Sequence, residues 1–439
     1  MGYLPNLVFL SLLIVGGGFF VRNILRVKRN ILLGKQTDKT KDRSARWKHM
    51  TRVALGQSKM GVKPVAAALH LIVYVGFILI NIELLEIVLD GLLGTHRLFA
   101  PLLGEVYDVL IGSFEILALL VLLSVILFWT RRNLLKIKRF WKNEMKGWPK
   151  RDADYILYFE LVLMLLFLCM NATDAILQQQ TVESYIKAGS FPVSDHIKPL
   201  FEGLNTNTLL LLERGFWWAH ISGILIFLNY LYYSKHLHIL LAFPNTFYAN
   251  LEAQGKFRVD GSIKNEVMQM LFPEKATTPP EGATPPEKFG ASDVFDLRWT
   301  QLMNAYSCTE CGRCTEVCPA NLTGKKLSPR KIMMDTRDRL EEVGKNLNLN
   351  KGVFKDDQKQ LLNDYISPEE LWACTSCNAC VTACPIAIDP LSIIMDMRQY
   401  LVMEQSAAPQ ALNAMMGNIE NNGAPWPFNN QDRLQWANE

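Results

Sequence analysis

The sequence carries little net charge and few histidines, and almost all of its cysteines lie in two short motifs. Its 46 Lys and Arg against 42 Asp and Glu leave a net charge of +4 over 439 residues. No pattern of interleaved basic and aromatic residues accompanies this small excess, so no nucleic-acid partner is expected. Only seven histidines are present, and each one that lies in an apolar segment is therefore a candidate functional residue. The cysteine outside the motifs, Cys169, lies in LVLMLLFLCMNA and is expected to be a small buried hydrophobe.

Long apolar runs are confined to residues 1–245. A bilayer core of about 30 Å needs about 20 apolar residues per helix. Five segments meet this requirement: 4–20, 65–89, 106–129, 155–176 and 209–233. The first has no basic residue ahead of its apolar run and is followed by RNILRVKRN, which favours a retained anchor over a cleaved signal peptide. The sequence thus predicts a five-span, multi-pass domain in a lipid bilayer.

Charge in the connecting loops predicts how the spans are oriented. The connections after the first and third spans are rich in Lys and Arg, whereas the two connections at the opposite end carry few. Lys and Arg accumulate on the cytoplasmic side of membrane proteins. We therefore expect the N-terminus outside and everything after residue 233 in the cytoplasm, where cysteine thiolates stay reduced.

The second half of the chain is predicted to contain a connecting region, a compact domain and a tail. Residues 246–292 contain the Pro-rich linker PEKATTPPEGATPPEKFGAS. Residues 293–404 show no strand alternation, and Ser328, Ser367 and Asp389 each precede a proline that favours the first position of a helix. Ser367 with Glu370 forms a capping box. The sequence predicts a helical domain followed by an extended C-terminal arm over residues 405–439.

The cysteines form two copies of the pattern C-x2-C-x2-C-x3-C-P. Three closely spaced thiolates hold three corners of a [4Fe–4S] cluster, and the cysteine before proline ligates the other cluster in two-cluster ferredoxins. The predicted ligand sets are Cys308, Cys311, Cys314 and Cys384 for one cluster, and Cys374, Cys377, Cys380 and Cys318 for the other. Structural zinc is the alternative, but zinc sites use pairs of C-x2-C and leave the additional cysteines without a role.

Three of the histidines in or beside the apolar segments are the main candidate ligands. His220 and His238 are five whole turns apart, about 27 Å along one face of a continuous fifth helix. His70, near the beginning of the second span, reaches the same cytoplasmic end as His238. Histidines in a bilayer are costly and are functional candidates. His70 and His238 are therefore predicted to hold one haem b between two imidazoles, with a hydrogen-bonded structural role as the alternative.

These patterns resemble two known families. The five-span layout with His70, His220 and His238 is similar to the cytochrome b (gamma) subunit of respiratory nitrate reductases. The stretch DLRWTQLMNAYSCTECGRC resembles the heterodisulfide-reductase-type iron–sulfur family, which includes membrane-bound electron-transfer-flavoprotein:menaquinone oxidoreductases. The resemblance implies an all-α protein of the bacterial inner membrane. It would combine a five-helix transmembrane cytochrome b bundle with a cytoplasmic α-helical ferredoxin domain that holds two [4Fe–4S] clusters.

The sequence departs from these families at two points. Nitrate reductase gamma subunits have a second histidine in span two, where this chain has Ile80. A second, outer haem would then depend on His220 with His96, just past span two. The fused members of the family also continue into a CCG domain that does not appear in this sequence. The expected partners are therefore a separate CCG-domain iron–sulfur subunit that meets the substrate, and a soluble electron donor such as an electron-transfer flavoprotein.

The expected function is that of an electron-transfer subunit of a quinone-linked oxidoreductase, and the family resemblance implies menaquinone as the membrane substrate. Proton relay to the quinone is expected from carboxylates in the outer halves of the spans, where ion pairing or helix capping is the alternative role: Glu83, Glu86, Asp108 and Glu213. Two other functions remain open. The first is a quinol-oxidising, heterodisulfide-reductase-like subunit, in which electrons flow in the reverse direction. The second is a redox-sensing or structural anchor of a larger membrane assembly, which binds no quinone.

Overall fold

The computed structural model describes residues 3–37, 41–257, 261–275 and 288–437. The chain is mostly helical over these ranges, and strand-like pairing within them is limited to isolated bridges of Lys35 with Arg298 and of Leu362 with Ile366. The predicted all-helical character is confirmed for the described residues. Most of the predicted Pro-rich linker, residues 276–287, lies outside them.

The first eight α-helices contain the predicted membrane spans. They are α1 (Leu4–Ile31), α2 (Arg43–Met50), α3 (Pro64–Leu93), α4 (Ala100–Leu103), α5 (Glu105–Asn133), α6 (Trp148–Gln179), α7 (Thr206–Tyr230) and α8 (His238–Phe247). Among the described residues, α1, α3, α5, α6 and α7 are long and apolar enough to cross a membrane, α7 with a 3-10 turn that extends it to Tyr233. Each of these helices continues past its apolar run into polar residues, because a helix satisfies its own backbone hydrogen bonds whatever its side chains are.

Close contacts between long helices hold the bundle together. α6 packs on α5 and α7, α3 packs on α5, and α1 packs on α3 and α7. A Cβ atom at Gly76 of α3 would come within 2.6 Å of Val121 on α5, so the absence of a side chain lets these two helices approach. Phe9 and Phe167 are buried between helices. Many apolar side chains on the outer faces stay exposed, as contact with lipid requires.

The fifth span is not one continuous helix as far as His238, and that expectation was wrong. Ser234 has an extended backbone, and its hydroxyl accepts a hydrogen bond from the N–H of His236, which starts a new turn. Asp152 of α6 accepts from the N–H of Lys235 at 3.1 Å and so holds the break. His238 therefore begins α8, and its side chain is placed by this break and not by the helical phase of His220.

Ten α-helices follow in the second half of the chain. They are α9 (Gly261–Leu271), α10 (Trp299–Ser307), α11 (Arg313–Glu316), α12 (Pro319–Leu322), α13 (Pro329–Leu349), α14 (Leu361–Asp364), α15 (Pro368–Trp372), α16 (Ala379–Ala383), α17 (Pro390–Met403) and α18 (Gln410–Asn422). The three predicted helix starts are confirmed, with Ser328, Ser367 and Asp389 each accepting a hydrogen bond from a first-turn N–H. The predicted capping box of Ser367 and Glu370 is present.

The C-terminal tail is not simply an extended arm. Residues 410–422 form α18, which begins after Pro409 and ends at Gly423 in a left-handed conformation. The stretch QALNAMM contains strong helix formers, and the Asn and Gly content of the tail concealed them. The prediction of an extended arm was wrong for these residues.

The cysteine-bearing helices and the bundle share one hydrophobic core. Val27 and Ile31 at the end of α1 belong to the same buried cluster as Leu302 and Leu340. Two backbone hydrogen bonds add to this contact, from Lys35 N–H to the Leu297 carbonyl at 2.8 Å and from Trp299 N–H to the Lys35 carbonyl at 3.1 Å. The second half of the chain is thereby fixed to one end of the bundle.

The basic loops lie at that same end. Lys63 pairs with Glu316 at 3.0 Å, and Arg139 pairs with the same carboxylate at 3.3 Å. Lys142 donates to the Asn321 side chain at 3.2 Å. These contacts give the Lys and Arg residues polar partners on the cysteine-bearing domain.

Candidate iron–sulfur and haem sites

The two cysteine motifs fold into the same turn. Glu310 and Gly312 in the first motif, and Ser376 and Asn378 in the second, all have positive φ angles, between 54° and 74°. Left-handed residues in such a turn direct backbone N–H groups inward and create an anion-binding concavity. The N–H of Ser376 accordingly points at the sulfur of Cys374, 3.4 Å away. The repeated backbone thus explains why both motifs have one spacing.

The cysteines of one motif face the last cysteine of the other. A cavity is lined by sulfur-bearing residues from both motifs: Cys308, Cys311, Cys314, Cys380 and Cys384. In the second predicted ligand set, burial raises the pKa of Cys380, and the neighbouring thiols of Cys374 and Cys318 raise it further. This arrangement supports the crossed ligand sets, which stay a prediction.

The chemistry of these thiols suits a cationic group. Burial raises the pKa of Cys308 to about 12 and that of Cys384 to about 11. Buried thiols of this kind ionise only when a positive partner compensates the charge, as bound iron does. All nine cysteines are free of disulfides, and Cys169 on α6 is half-buried, not buried as expected. No three His, Cys, Asp or Glu side chains of the described ranges converge on one metal ion, and a four-iron cluster does not need them to, since each of its irons takes one thiolate.

Metal analysis provides the first test of these sites. The purified protein is expected to contain about eight cluster iron atoms and about eight acid-labile sulfides per chain, beyond any haem iron, because two four-cysteine sets each suit a four-iron cluster. Iron by plasma emission spectrometry and sulfide by colorimetry measure both. Zinc without labile sulfide contradicts the assignment.

His70 and His238 lie next to each other at the cysteine-bearing end of the bundle. Their ring centres are 6.5 Å apart, with 44° between the ring planes. Two imidazoles on opposite sides of one metal ion, each with a metal–nitrogen bond of about 2.1 Å, would have ring centres roughly 6 Å apart, so His70 and His238 would be able to hold a haem iron between them. The observed separation fits that value.

Each of the two rings has one nitrogen engaged and one available. His70 Nδ1 lies 3.1 Å from the Gln57 side-chain oxygen, and His238 Nδ1 lies 3.1 Å from the Lys235 carbonyl oxygen. Metal-binding histidines characteristically donate their second N–H to such oxygens, which fixes the ring and its tautomer. Burial lowers the pKa of His238 to about 3, so the ring is neutral at pH 7 and its free Nε2 is a competent metal ligand.

A buried ion network joins the histidine pair to the first cysteine motif. Lys235, whose carbonyl orients His238, pairs through its ammonium with Glu310, which stands between Cys308 and Cys311. Arg337 pairs with the same carboxylate at 2.8 Å. Burial opposes the charge of Glu310, but Lys235 and Arg337 outweigh it and lower the pKa of Glu310. The network ties the cysteine loop to the backbone of the histidine.

Glu310→Gln tests how much this network stabilises the protein. The change leaves the buried ammonium of Lys235 short of its partner, and breaking one side of a buried pair costs about 3–5 kcal/mol. We expect the free energy of unfolding of the cysteine-bearing domain to fall by about 3 kcal/mol, measured by denaturant titration of cluster absorbance. Glu316→Gln is the control, because the Glu316 carboxylate is exposed and its pairs with Lys63 and Arg139 are each worth less than about 1 kcal/mol. Equal losses in both variants would contradict a special role for Glu310.

His96 and His220 are not brought together. His96 Nε2 lies 3.2 Å from Asp174, and its ring packs on Tyr185 with 4.7 Å between ring centres. His220 is buried beside Phe167, and its Nδ1 lies 3.0 Å from the Leu163 carbonyl oxygen. His96 is held away because Asp174 also binds Arg97 and anchors this corner. The outer haem on this pair stays a prediction that the geometry does not support.

Three of the four predicted relay carboxylates have fixed hydrogen-bond partners. Glu86 accepts from Phe99 N–H and from the Tyr107 hydroxyl, both at 2.7 Å. Glu213 accepts from Tyr185 at 2.6 Å and pairs with Arg214. Asp108 accepts from Gly189 N–H at 2.6 Å. Glu83 differs, because its Oε2 is buried without a hydrogen-bond partner.

Several buried polar residues at this end of the bundle were not predicted from the sequence. Asp174 receives two hydrogen bonds from Arg97, at 2.6 and 2.8 Å, and Asn171 accepts a third from it at 3.1 Å. Glu115 is fully buried and accepts from Ser194 N–H at 3.0 Å and from Asn171 at 3.1 Å. The signal was available in the stretch NATD, which interrupts an apolar span with three polar residues.

Comparison with known proteins agrees with the cysteine chemistry. Residues 307–388 match the family described as 4Fe-4S dicluster domain. Over 88% of the chain, the sequence is 28% identical to the probable iron-sulfur-binding oxidoreductase FadF of Bacillus subtilis and 25% identical to the EtfAB:quinone oxidoreductase of Syntrophomonas wolfei. These alignments cover 54% and 53% of the two relatives, so the chain spans about half the length of the curated relatives it matches.

A further relative matches a smaller part of the chain. It belongs to the dihydromethanophenazine:CoB–CoM heterodisulfide reductase of Methanosarcina acetivorans and is 27% identical over 34% of this chain and 37% of its own length. No solved structure matches the chain significantly. The predicted likeness to nitrate reductase gamma subunits stays a prediction. The chain therefore combines five apolar helices with a 4Fe-4S domain, and its homologues include iron–sulfur oxidoreductases and a component of a heterodisulfide reductase.

Proposed function

We propose that the chain is an electron-transfer subunit that passes electrons between a cytoplasmic redox partner and the membrane quinone pool. The observation that carries the proposal is the position of the His70 and His238 rings against the first cysteine motif. Lys235 touches both sites, through its carbonyl to His238 and through its ammonium to Glu310. Arg313 of the same motif donates to the Lys59 carbonyl at 3.1 Å, in the loop that leads into α3 and His70. Two redox sites joined so directly suit electron transfer between them.

The proposed cofactors are two [4Fe–4S] clusters on the crossed cysteine sets and one haem b on His70 and His238. When bound, they supply one-electron carriers. The protein contributes a dry and rigid surrounding: Lys235 and Glu310 are almost fully buried. Arg398 donates to the carbonyls of Leu371 and Cys374, at 2.6 and 2.5 Å, and so fixes the second cysteine loop.

The remaining assignments follow from the relatives and from the loop charges. Quinone as the substrate class is supported by the name of the Syntrophomonas relative, and menaquinone is the quinone we propose. The basic loops favour a bacterial inner membrane protein with its N-terminus outside and its cysteine domain in the cytoplasm. The proposed partners are a CCG-domain iron–sulfur subunit and a soluble donor such as an electron-transfer flavoprotein. Domain limits at residues 245, 292 and 404 belong to the same proposal.

A redox titration with a soluble naphthoquinone tests the function. The purified full chain, in detergent and without oxygen, is reduced with dithionite and then mixed with menadione. We expect the haem b and cluster absorbances to reoxidise together, since the cofactors would exchange electrons rapidly. A haem that dithionite reduces and menadione does not reoxidise contradicts the quinone link and favours the anchor function. If menadiol reduces oxidised haem faster than menadione oxidises reduced haem, the result would favour electron flow from quinol to the cytoplasmic partner.

A further inference from the structure

A second cavity lies at the end of the bundle remote from the cysteines. Its volume is about 470 Å³, and its lining comes from the start of α1, the end of α3, the end of α6 and the start of α7. Small-molecule sites typically occupy about 300–1,000 Å³. Gly94 and Thr95, in the loop after α3, are exposed and border the cavity, so it opens toward the outer end. Glu83 lies about 20 Å along α3 from His70 at 1.5 Å per residue.

Aromatic rings form one wall of this cavity. The ring centres of Phe9 and Trp217 are 5.2 Å apart, and those of Trp217 and Trp218 are also 5.2 Å apart, edge to face. A Cβ atom at Gly91 would come within 2.5 Å of the Phe9 ring, so Gly91 lets Phe9 lie flat against α3. Asn6 fixes the contact by donating to the Gly91 carbonyl at 2.9 Å. The wall suits a flat apolar ring.

Two buried side-chain atoms in the lining lack a hydrogen-bond partner. Among the described residues that border the cavity, the buried side-chain atoms without a partner are Glu83 Oε2 and His96 Nδ1. Glu83 as a whole is 3% exposed. Leaving buried polar atoms unpaired is costly, and an unpaired carboxylate more so. A ligand with two hydrogen-bonding oxygens would remove both costs.

The charged neighbours of these two groups are already committed. Arg97 and Asp174 bind each other, and Glu213 binds Arg214. Burial works against the charge of Arg97, but Asp174 outweighs it and holds the pKa of Arg97 well above its usual value. Because the charges of Arg97 and Arg214 are balanced in this way, the cavity offers no uncompensated positive charge to an anionic ligand. The cavity therefore favours a neutral one.

We propose that this cavity binds the headgroup of a quinone, with Glu83 and His96 hydrogen-bonded to its two ring oxygens. A carboxyl and an imidazole each donate when protonated and accept when not. They therefore match a quinone carbonyl before reduction and a quinol hydroxyl after it. The inference rests on the proposed function, which supplies quinone as the substrate class, and it names the residues that bind it.

The chemistry at this site balances with the carriers already proposed. Reduction converts two C=O groups to two C–O–H groups and takes two electrons and two protons. The electrons come one at a time from the cofactors of the proposed function. Glu83 and His96 each deliver one proton to the oxygen they contact, and both regain protons through the opening beside Thr95. Oxidation of quinol follows the same steps in reverse.

Photolabelling of the full chain tests where the quinone binds, without requiring electron transfer. The probe is an azido-naphthoquinone, cross-linked to the purified protein and mapped by mass spectrometry of peptides. We expect labelled peptides from residues 83–97 or 213–218. Glu83→Leu and His96→Leu should each weaken labelling about tenfold, which corresponds to about 1.4 kcal/mol for one lost hydrogen bond. Asp108→Asn is the matched control, because Asp108 lies at the same end of the bundle but does not border the cavity.

The outcomes separate this inference from the proposed function. Label in the cavity without menadione-driven haem oxidation supports the binding site and overturns the function. Haem oxidation with label elsewhere, or no label, overturns the site and leaves the function. Unchanged labelling in both variants also overturns the assignment of Glu83 and His96. A dithionite-reduced spectrum equal to that of the unmodified protein establishes that each variant is folded.

Discussion

His70→Ala and His238→Ala are each expected to abolish the haem b absorbance of the purified protein. The ring centres lie 6.5 Å apart, and each ring is oriented by a bond from Nδ1, to Gln57 for His70 and to the Lys235 carbonyl for His238. Removing either imidazole would take away one of the two side chains proposed to hold haem b, so both variants should lose the same haem. Reduced-minus-oxidised spectra, with haem quantified as its pyridine complex, measure the loss.

His236→Ala is the matched control for this experiment. His236 packs edge to face on His238, with 5.3 Å between ring centres, and its Nε2 lies 3.8 Å from Glu160. The His236 ring thus lies as close to His238 as the His70 ring does, but the polar contact of His236 is with Glu160. We expect this variant to keep its haem. The pairing is wrong if His70→Ala and His238→Ala lose different haems, or if His236→Ala loses the haem and one of them retains it.

Cys318→Ser is expected to remove the cluster on the second motif and to spare the cluster on its own motif. Cys318 lies directly before Pro319, which begins α12. Its electrostatic influence falls on Cys374 and Cys380, whose pKa values burial raises first and neighbouring thiols raise further. About four of eight iron atoms should be lost, since a serine oxygen is a poor ligand for iron in place of a thiolate.

Electron paramagnetic resonance of the reduced protein shows which cluster is lost. The wild type should show the broadened spectrum of two interacting clusters, and Cys318→Ser the simple spectrum of one. Cys384→Ser is the reciprocal control and should remove the cluster of the first motif. In the alternative of local ligation, all four cysteines of one motif bind one cluster. A double variant distinguishes this from crossed ligation. Cys318→Ser with Cys311→Ser should then lose one cluster, whereas crossed ligation predicts the loss of both.

Sequence spacing was enough to predict the 4Fe-4S domain that the family match supports, because the chemistry of each motif is local. Each motif holds its cysteines within eleven residues, and the prolines, caps and turn residues that shape the loop lie among them. The structure repeats the same positive φ angles in both copies, as one backbone conformation with one spacing would require. The helix starts at Ser328 and Asp389 were readable for the same reason, since a cap acts on its own first turn.

The roles of the carboxylates at the outer end of the bundle could not be predicted from sequence spacing. Glu83 and Glu86 lie one turn apart on α3 and look equivalent in sequence. Only the fold reveals that Tyr107, from another helix, satisfies Glu86 and that Glu83 Oε2 has no such partner. His96 was predicted beside His220, but Asp174 of α6 holds it elsewhere. A hydrogen-bond partner from a distant helix leaves no trace in the spacing of the residues it binds.

By itself, the sequence determined the helical class, the five apolar segments and the repeated cysteine pattern, because hydrophobic length, helix capping and ligand spacing act over a few turns of chain. Tertiary structure alone decided the position of His238, because the helix break at Ser234 depends on Asp152 from another helix. It also decided which polar groups stay unpaired around the outer cavity. Those outcomes depend on packing between segments far apart in sequence, and a pattern read along one chain does not contain the distances between its helices.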